Sequence, residues 1–280
     1  MSFIYSGFAD EADKSFDRQV AALTRNGYQH LEIRNVSGKK LTAVTLDEAK
    51  EMAAILADNG LSVWSMGSPI GKMKVEDSWQ QHLDDYRHTL DMAGVLGAKR
   101  IRLFSFFMPK DSDPANWKNW VLDKLAVFEE IANEYGVIPC HENEKGIYGD
   151  IAARCLEIHR ALPGIKAVFD PANFVQCGQD TLEAWEMLAP FVEYMHVKDA
   201  LANGVVVPAG QGLGNVQAII KKYAAQGGKV LSLEPHLTKF VGFKELEADT
   251  VSVVGTMHFE NGDQAFDHAA NTLYRLVDGL

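Results

Sequence analysis

One pattern recurs along the whole chain and limits what it can fold into: a helical segment stops, and a short apolar run follows. The clearest stops are Asn26-Gly27, Asn59-Gly60, Gly97, Gly136 and Gly227-Gly228. Glycine is favoured just beyond a helix end, and a short apolar run bounded by such residues is typical of a buried strand. With FIYSGF at the start, the runs predict eight strands that end near residues 8, 34, 67, 105, 142, 170, 197 and 234.

The spacing of these strands predicts the fold class. Successive strand ends lie 26 to 38 residues apart, which leaves room for one strand, one helix and two loops. Such alternation predicts parallel βαβ units, and eight units close into a barrel. A doubly wound open sheet is disfavoured because the first turn, GFADEA, carries one glycine and not a glycine-rich phosphate loop. We therefore predict a single-domain (β/α)8 TIM barrel over residues 1–280.

One connection departs from the regular spacing. The segment between the last strand and the last helix, at about residues 238–262, is too long for a plain turn. We expect it to form a lid over the barrel mouth, with Phe240, Phe243 or Phe259 excluding water from a bound substrate. The alternative use for these aromatic residues is an oligomer contact.

Composition and charge exclude several function classes. The chain of 280 residues carries a net charge of -11, which would be repelled by nucleic acid and by anionic membranes. The first segment carries Asp10, Glu11 and Asp13 where a signal peptide needs an apolar run, and no stretch has the length of a transmembrane helix. Three cysteines, an odd number, are typical of a reducing compartment. We expect a cytoplasmic protein with a small-molecule partner, and the oligomeric state stays open.

Four consecutive predicted strands end in a side chain that can bind a metal ion. Glu142, Asp170, His196 and Glu234 each follow an apolar run at the end of strands five to eight. In a (β/α)8 barrel, the carboxyl ends of the strands surround the active site. One such residue alone is usually a helix cap or a surface charge, but four at successive strand ends are hard to explain that way. Three carboxylates and an imidazole suit a hard to borderline divalent ion.

The sequence around these positions resembles the xylose isomerase-like barrels. The segments CHENEKGIYGD, FDPANF, HVKDA and LEPH are similar to the four metal-binding strand ends of that superfamily. GFADEA, HLEIR, SPIGK and RIRLFSF are similar to its sugar isomerase and epimerase branch, including ketose 3-epimerases and inosose dehydratase. The resemblance implies that Glu142, Asp170, His196 and Glu234 bind one divalent ion, with Glu142 and Glu234 as the acid/base pair. Mn²⁺ is expected first, with Mg²⁺, Co²⁺ or Zn²⁺ as alternatives.

The chain also departs from parts of that superfamily. Many members carry histidine three residues after the aspartate of the sixth strand, where this chain has Asn173. The endonuclease branch needs three zinc ions and extra histidines, and the second strand here ends in Glu32 and Arg34 instead. The endonuclease interpretation therefore fails, and a single-ion site is implied, with Asn173 among the substrate-binding residues.

Several other residues at the strand ends are candidates for substrate contact. Glu32 and Arg34 share one face of the second strand, where they could bind a hydroxylated substrate or each other. Lys198 stands two residues after His196 and could contact the substrate or pair with Asp199 or Glu234. Two further candidates that could line the mouth are Ser68 and Lys72.

Two features near the site have weaker signals. The glycines of GQGLG, at positions 210, 212 and 214, could hold a phosphate on their N–H groups or form a turn before a helix capped by Asn215. His236 shares the parity of Glu234, whereas His141 has the parity opposite to Glu142 and is expected to pack between strand and helix.

These observations predict a metal-dependent sugar isomerase or epimerase that acts on a ketose or related keto-polyol by enediolate proton transfer. The metal would acidify a C–H beside the carbonyl, and the two glutamates would move the proton. A lyase that dehydrates a keto-inositol or keto-sugar, and a sugar-binding barrel without turnover, are the alternatives. The sequence leaves open the substrate, its phosphorylation and the metal.

Overall fold

The computed structural model describes residues 2–238, 257–278 and 280. Within them, eight parallel strands form one sheet that curls into a barrel. The strands are β1 (Ile4–Gly7), β2 (His30–Ile33), β3 (Ser62–Met66), β4 (Arg100–Leu103), β5 (Ile138–Glu142), β6 (Lys166–Phe169), β7 (Val192–Val197) and β8 (Val230–Leu233). Each ends within two residues of its predicted end, which confirms the predicted barrel.

The strands follow one another around the barrel in chain order. The ladder runs from β1 through β8, β7, β6, β5, β4 and β3 to β2, and β1 and β2 contact each other where the ring closes. Parallel neighbours in chain order require a crossover after every strand, and the helices provide it. The carboxyl ends of all eight strands therefore meet at one face.

Helices surround the barrel in the described part of the chain. They are α1 (Phe16–Arg25), α2 (Leu46–Asp58), α3 (Trp79–Leu96), α4 (Lys118–Glu134), α5 (Ala152–Ala161), α6 (Pro171–Gln176), α7 (Thr181–Leu188), α8 (Val216–Ala225) and α9 (Gly262–Val277). None of these described helices combines the length and the apolar character that crossing a lipid bilayer demands.

Local sequence signals explain where the helices start and stop. The Thr45 hydroxyl accepts from the Glu48 N–H while the Glu48 carboxylate accepts from the Thr45 N–H, which forms a capping box at the start of α2. Gly97 ends α3 in the left-handed region at φ 70°, a conformation that favours glycine. These stops release the chain into the next strand and so set the spacing of the barrel.

The barrel interior changes from apolar to charged along the strands. Its lower part is a buried cluster of Cys140, Val168, Tyr194 and Val230. Two residues further along the same strands stand Glu142, Asp170, His196 and Ser232, all of them buried. Because side chains alternate across a strand, both sets face the same interior. The apolar plug closes the lower end, and the polar residues face the mouth.

Two regions differ from the regular pattern. The short helix α6 begins directly after Asp170, so the chain makes an extra turn at the mouth before α7. The predicted lid at about residues 238–262 lies mostly outside the described residues, and so do Phe240 and Phe243. Phe259 is described, and its ring lies 5.4 Å from that of His268 on α9.

Candidate metal centre and active site

The structure brings the four strand-end candidates together at the barrel mouth. One ligand atom from each of Glu142, Asp170, His196 and Glu234 lies within 4.8 Å of the others. All four residues are at most 2% exposed. Their positions follow from the register: His196 pairs with Ser232 across β7 and β8, so Glu234 projects one step further toward the mouth. We call these four residues the acidic cluster.

Distances within the acidic cluster fit the coordination sphere of one divalent ion. Nδ1 of His196 lies 3.0 Å from Oε1 of Glu142, 3.4 Å from Oε2 of Glu234 and 3.9 Å from Oδ2 of Asp170. Two ligand atoms bound at roughly 2.1 Å to an octahedral ion are separated by about 3.0 Å. The cluster therefore needs little rearrangement to surround an ion.

Asp170 is positioned by the start of α6. Its Oδ1 accepts from the Asn173 N–H at 3.0 Å, which caps the helix, and Pro171 occupies the first turn. The side chain of Asn143 brackets the Asp170 backbone, accepting from its N–H and donating to its carbonyl, both at 2.9 Å. Oδ2 is left buried with no hydrogen bond, and the nearest cation is Nζ of Lys198 at 3.1 Å. A buried carboxylate oxygen of this kind is suited to a metal ion.

Asn173 also holds a second member of the cluster. Its amide N–H group donates to Oε1 of Glu142 at 3.1 Å and to the Asn143 carbonyl at 2.9 Å. The structure thus places this predicted substrate contact against Glu142 itself.

Lys198 points into the same site. Its ammonium lies 3.1 Å from Oδ2 of Asp170 and 3.1 Å from Oε2 of Glu234. The predicted pair of Lys198 with Glu234 is therefore present, and its contact with a substrate stays a prediction. Its neighbour Asp199 turns the other way.

Asp199 explains the glycine-rich loop that follows β7. Its carboxylate accepts from the N–H groups of Gly210, Gly212 and Gly214, at 2.8 to 3.0 Å, and from that of Ala200 at 2.8 Å. A Cβ at position 212 would come within 2.4 Å of the Ala200 carbonyl oxygen. The loop therefore binds an internal carboxylate with the N–H groups that could have held a phosphate.

The predicted cap at the end of that loop is confirmed in its position, at the N-cap of α8, but not in a side-chain hydrogen bond. Asn215 precedes α8 in the left-handed region at φ 50°, and its side chain makes no capping hydrogen bond. Its amide donates instead to the Thr181 hydroxyl at 2.9 Å, which ties the loop to α7.

Arg34 belongs to a buried charge network on the other side of the mouth. Its Nη1 donates to Oε1 of Glu234 at 2.9 Å, its Nη2 to Oε1 of Glu11 at 3.0 Å, and its Nε to Oδ2 of Asp10 at 2.9 Å. Glu32, its neighbour on β2, faces His196 instead. The sequence analysis named Glu32 as a possible partner of Arg34 and did not identify Asp10 and Glu11.

Arg102 is a site residue that the sequence analysis missed. It lies on β4, is 2% exposed, and donates to Oε2 of Glu142 at 3.0 Å. Its Nη1 is also 3.7 Å from Oε1 of Glu234. The alternation within RIRLF would have placed Arg102 in the barrel interior, where a guanidinium needs acidic partners. That signal identifies an interior cation, although not its partners.

Ser68 and Lys72 follow β3 as expected, but they differ in exposure to the mouth. The Ser68 hydroxyl is buried and donates to the Arg102 carbonyl at 2.5 Å. Lys72 pairs with Glu144 at 3.0 Å and lies over the Phe104 ring. Lys72 lines a cavity of about 240 Å³ together with Arg34, which in turn contacts Glu234 of the acidic cluster.

The two histidines near the cluster occupy different environments. His141 packs away from the mouth, as predicted: its Nε2 lies 2.9 Å from the Ser105 hydroxyl and its ring lies 5.8 Å from that of His159 on α5. His236 lies at the mouth in the left-handed region at φ 48°, and its Nε2 is 3.4 Å from carboxylate oxygens of both Glu11 and Glu234.

Glu11, Glu234 and His236 form a second group with metal-ligand geometry. Arg34 already donates to both glutamates of this group, at 3.0 and 2.9 Å. The acidic cluster offers four ligand residues where this group offers three, so the acidic cluster is the better candidate for a metal.

Negative charge exceeds positive charge in the described interior around the site. The buried carboxyl groups there are Asp10, Glu11, Glu32, Glu142, Asp170 and Glu234, and the buried permanent cations are Arg34, Arg102 and Lys198. Burial raises the pKa of Asp170 to about 7, although Lys198 opposes the shift. Burial likewise raises the pKa of Glu11 to about 8. A divalent ion would supply the missing positive charge.

The two glutamates of the cluster are held as carboxylates. Burial acts to raise the pKa of Glu142, but His196 and Arg102 outweigh it and lower that pKa to about 2. For Glu234, burial is outweighed mainly by Lys198, and its pKa lies well below the usual range. Burial would lower the pKa of His196, yet Glu142 and Glu32 raise it well above the usual range. His196 is therefore protonated on both ring nitrogens, and a bound metal ion would replace one of these two protons.

The structure is a parallel eight-stranded TIM barrel whose last four strands end in an acidic cluster that could hold a divalent metal ion. Residues 20–258 match the family described as xylose isomerase-like TIM barrel, and the chain belongs to that family. The match spans strands β2 to β8 and all four residues of the cluster. Nothing among curated proteins matches the chain.

Solved structures show the same fold in proteins of low sequence identity. The structure of L-ribulose 3-epimerase is 18% identical, with a TM-score of 0.75 over 100% of this chain and 95% of that one. An IolI protein with a bound zinc atom is 15% identical, with a TM-score of 0.76 over 98% of both chains. The probable 3-DHS dehydratase AsbF of Bacillus anthracis is 15% identical, with a TM-score of 0.73 over 98% of this chain and 99% of that one. At these identities the likeness concerns the fold, in a family that includes epimerases and dehydratases.

Proposed function

We propose that this chain is a divalent-metal-dependent sugar isomerase or epimerase that moves a proton on a ketose or a related keto-polyol. The observation that carries the proposal is the acidic cluster, in which Glu142, Asp170, His196 and Glu234 converge with oxygen and nitrogen atoms within 4.8 Å. L-ribulose 3-epimerase adds support, because it has the same fold and its name identifies a sugar as its substrate.

The acidic cluster would hold one divalent ion. We propose Mn²⁺, with Mg²⁺, Co²⁺ or Zn²⁺ as alternatives, because carboxylates and one imidazole accept all of them. The zinc atom of the IolI structure supports a metal site in this fold. When bound, the ion polarises the substrate carbonyl and lowers the pKa of the adjacent C–H.

Glu142 and Glu234 are the proposed acid/base pair. In each, one oxygen faces His196 and the other accepts from an arginine: Oε2 of Glu142 from Arg102, and Oε1 of Glu234 from Arg34. A carboxylate oxygen has two lone pairs, so an oxygen held by an arginine still has one that can take a proton. The arginines fix the direction of that lone pair, and they lower the basicity of the glutamate at the same time.

The remaining polar residues would bind and orient the substrate. Lys198 is proposed to donate to a substrate oxygen, because its ammonium reaches the centre of the cluster. Arg34 and Lys72 line the adjacent cavity and are proposed to contact hydroxyl groups further from the reacting carbon. Asn173 and Ser68 would act by holding Glu142 and the backbone of Arg102.

Deuterium incorporation tests the reaction. The protein, loaded with Mn²⁺, is incubated with a panel of ketoses and inososes in deuterated water, and the recovered compounds are analysed by NMR. Proton transfer through a glutamate introduces deuterium at the carbon beside the carbonyl, whereas full conversion without deuterium indicates hydride transfer or a shielded proton. Saturable binding with neither conversion nor exchange would reject an enzyme and favour a sugar-binding barrel.

A dehydratase is the second candidate, and Lys198 is the observation that favours it. Its ammonium lies 3.1 Å from two carboxylates of the cluster, where it could donate a proton to a departing hydroxyl group. The AsbF structure, named as a probable dehydratase, has the same fold. Dehydration produces an enone that absorbs in the ultraviolet, and epimerisation produces none.

We also propose that the protein acts in a reducing compartment such as the cytoplasm. Cys140 and Cys155 are buried as free thiols, and Cys177 is half-buried and free. Burial raises the pKa of the Cys177 thiol to about 12, so that it stays unreactive.

A further inference from the structure

Glu32 lies one layer below the acidic cluster, inside the barrel. It stands on β2 and is 0% exposed. Its Oε1 accepts from the Tyr194 hydroxyl at 2.7 Å. Its Oε2 accepts from the Ser232 hydroxyl at 2.6 Å and lies 3.1 Å from Nε2 of His196. Both oxygens are therefore engaged by groups on β7 and β8.

His196 stands between Glu32 and the cluster. Nδ1 of its ring faces Glu142, Asp170 and Glu234, whereas Nε2 faces Glu32. An imidazole that binds a metal through one nitrogen carries its proton on the other, and that N–H needs an acceptor. Oε2 of Glu32 is that acceptor. The ring separates Glu32 from the cluster, so this carboxylate does not reach a substrate bound there.

The hydroxyl donors of Glu32 connect it to the strands that carry the ligands. Tyr194 precedes His196 by two residues on β7, and Ser232 precedes Glu234 by two residues on β8. The Tyr194 ring belongs to the apolar plug at the lower end of the barrel. A carboxylate held this way has a fixed direction, and so does the ring that it contacts.

We propose that Glu32 is a positioning residue for the metal site: it holds His196 through Nε2, so that Nδ1 points into the acidic cluster. The inference rests on the proposed function, because it concerns the same metal site. The four ligands come from strands β5 to β8. The inference therefore gives β2 a role in the metal site although it supplies no ligand.

Metal binding without substrate tests this role. Co²⁺ alone is titrated into the wild-type protein and into Glu32→Gln, and the visible d–d absorption is recorded at each step. Gln keeps the size of the side chain and removes its charge. Loss of a carboxylate behind a metal-bound histidine weakens metal affinity by roughly 10- to 100-fold. We expect that increase in the Co²⁺ Kd, together with altered d–d bands that report a reoriented ring.

Three further variants keep the test informative if Glu32→Gln does not fold. Tyr194→Phe and Ser232→Ala each remove one hydroxyl donor from Glu32 and leave its carboxylate in place, so a smaller increase in Kd is expected from each. Ser65→Ala is the matched control, because the Ser65 hydroxyl is buried in the same region and lies 3.2 Å from the Tyr194 hydroxyl. It should bind Co²⁺ like the wild type.

The outcomes separate this inference from the proposed function. Wild-type protein that binds no Co²⁺ rejects the metal site itself. Wild-type binding with an unchanged Kd and unchanged spectrum in Glu32→Gln, or in both hydroxyl variants where Glu32→Gln is unfolded, rejects only the role of Glu32. An increased Co²⁺ Kd together with altered d–d bands supports the role of Glu32, whatever the substrate proves to be.

Discussion

The two halves of the barrel contribute different chemistry to the same site. Strands β5 to β8 end in the acidic cluster, and Lys198 follows from β7. Strands β1 to β4 and the loops after them supply side chains that hold the cluster. These are Asp10, Glu11, Glu32, Arg34, Ser68 and Arg102.

Each glutamate of the acid/base pair is held from the first half by its own arginine. Arg102 on β4 donates to Glu142, and Arg34 after β2 donates to Glu234. The ligand atoms themselves come from the second half. Deletion of a ligand side chain in the second half should therefore remove metal, whereas removal of one of these arginines in the first half should leave metal bound and alter turnover.

The largest effect is expected when a ligand of the second half is deleted. Asp170→Ala or His196→Ala should reduce the Mn²⁺ content from about one ion per chain to almost none, because Mn²⁺ is at the weak end of the divalent series and loses one of its four ligands. Elemental analysis of protein prepared with excess Mn²⁺ measures the loss. Glu193→Gln is a matched control, since that glutamate pairs with Arg100 at the opposite end of the barrel. Three zinc ions per wild-type chain, or no metal, would contradict a single-ion site.

Exchange of either glutamate for glutamine should separate metal binding from turnover. Glu142→Gln and Glu234→Gln keep an oxygen ligand but lose the base, so kcat should fall by roughly 10²- to 10⁴-fold with metal retained. In the proposed two-base mechanism each glutamate serves one face of the substrate, so each substitution should block deuterium exchange from a different epimer. Equal residual exchange from both epimers in both variants would argue against a two-base mechanism.

Removal of Arg102 tests the first half of the barrel. Arg102→Met breaks a buried ion pair, which costs about 3–5 kcal/mol of unfolding free energy. The pKa of Glu142 should rise, because Arg102 is one of the two groups that lower it. Metal affinity should stay the same or increase, since a neighbouring positive charge is lost, while kcat decreases.

The control for Arg102→Met lies two residues earlier on the same strand. Arg100→Met removes a half-buried arginine that pairs with Glu193 below the site, and it should leave kcat and metal affinity unchanged. Chemical denaturation gives the unfolding free energies, and Mn²⁺ titration gives the affinities. Loss of metal in Arg102→Met would show that Arg102 contributes to metal binding and not only to the orientation of Glu142.

The sequence predicts the two halves unequally well. Each strand end is marked by an apolar run, so Glu142, Asp170, His196 and Glu234 could be found one strand at a time. Glu11 could not be assigned in this way, because it follows β1 and its partner Arg34 follows β2, and these two strands meet only where the barrel closes. The partners of Arg34 at Asp10 and Glu11 depend on the same closure.

The glycine-rich loop after β7 shows a different limit. GQGLG has the composition of an anion-binding loop, and its N–H groups do bind an anion, but that anion is the carboxylate of Asp199. Local sequence predicts the kind of group that such a loop binds. Which group arrives there depends on the turn after Lys198, which local patterning does not specify.

The smallest effect is expected at the edge of the first half, at Lys72. This residue lines a cavity together with Arg34 and does not touch any of the four cluster residues in the contacts that the structure describes. Its pair with Glu144 and its place over Phe104 fix the position of the ammonium. Lys72→Met should raise KM roughly tenfold, which corresponds to about 1.4 kcal/mol of binding, while kcat and metal content stay unchanged. Lys74→Met, at an exposed position in the same loop, is the control and should leave KM as it is.

Steady-state kinetics on the best substrate of the ketose and inosose panel gives KM and kcat for both variants. A fall in kcat with constant KM would place Lys72 among the groups that act in the transition state, and would extend the reacting region from the second half of the barrel into the first.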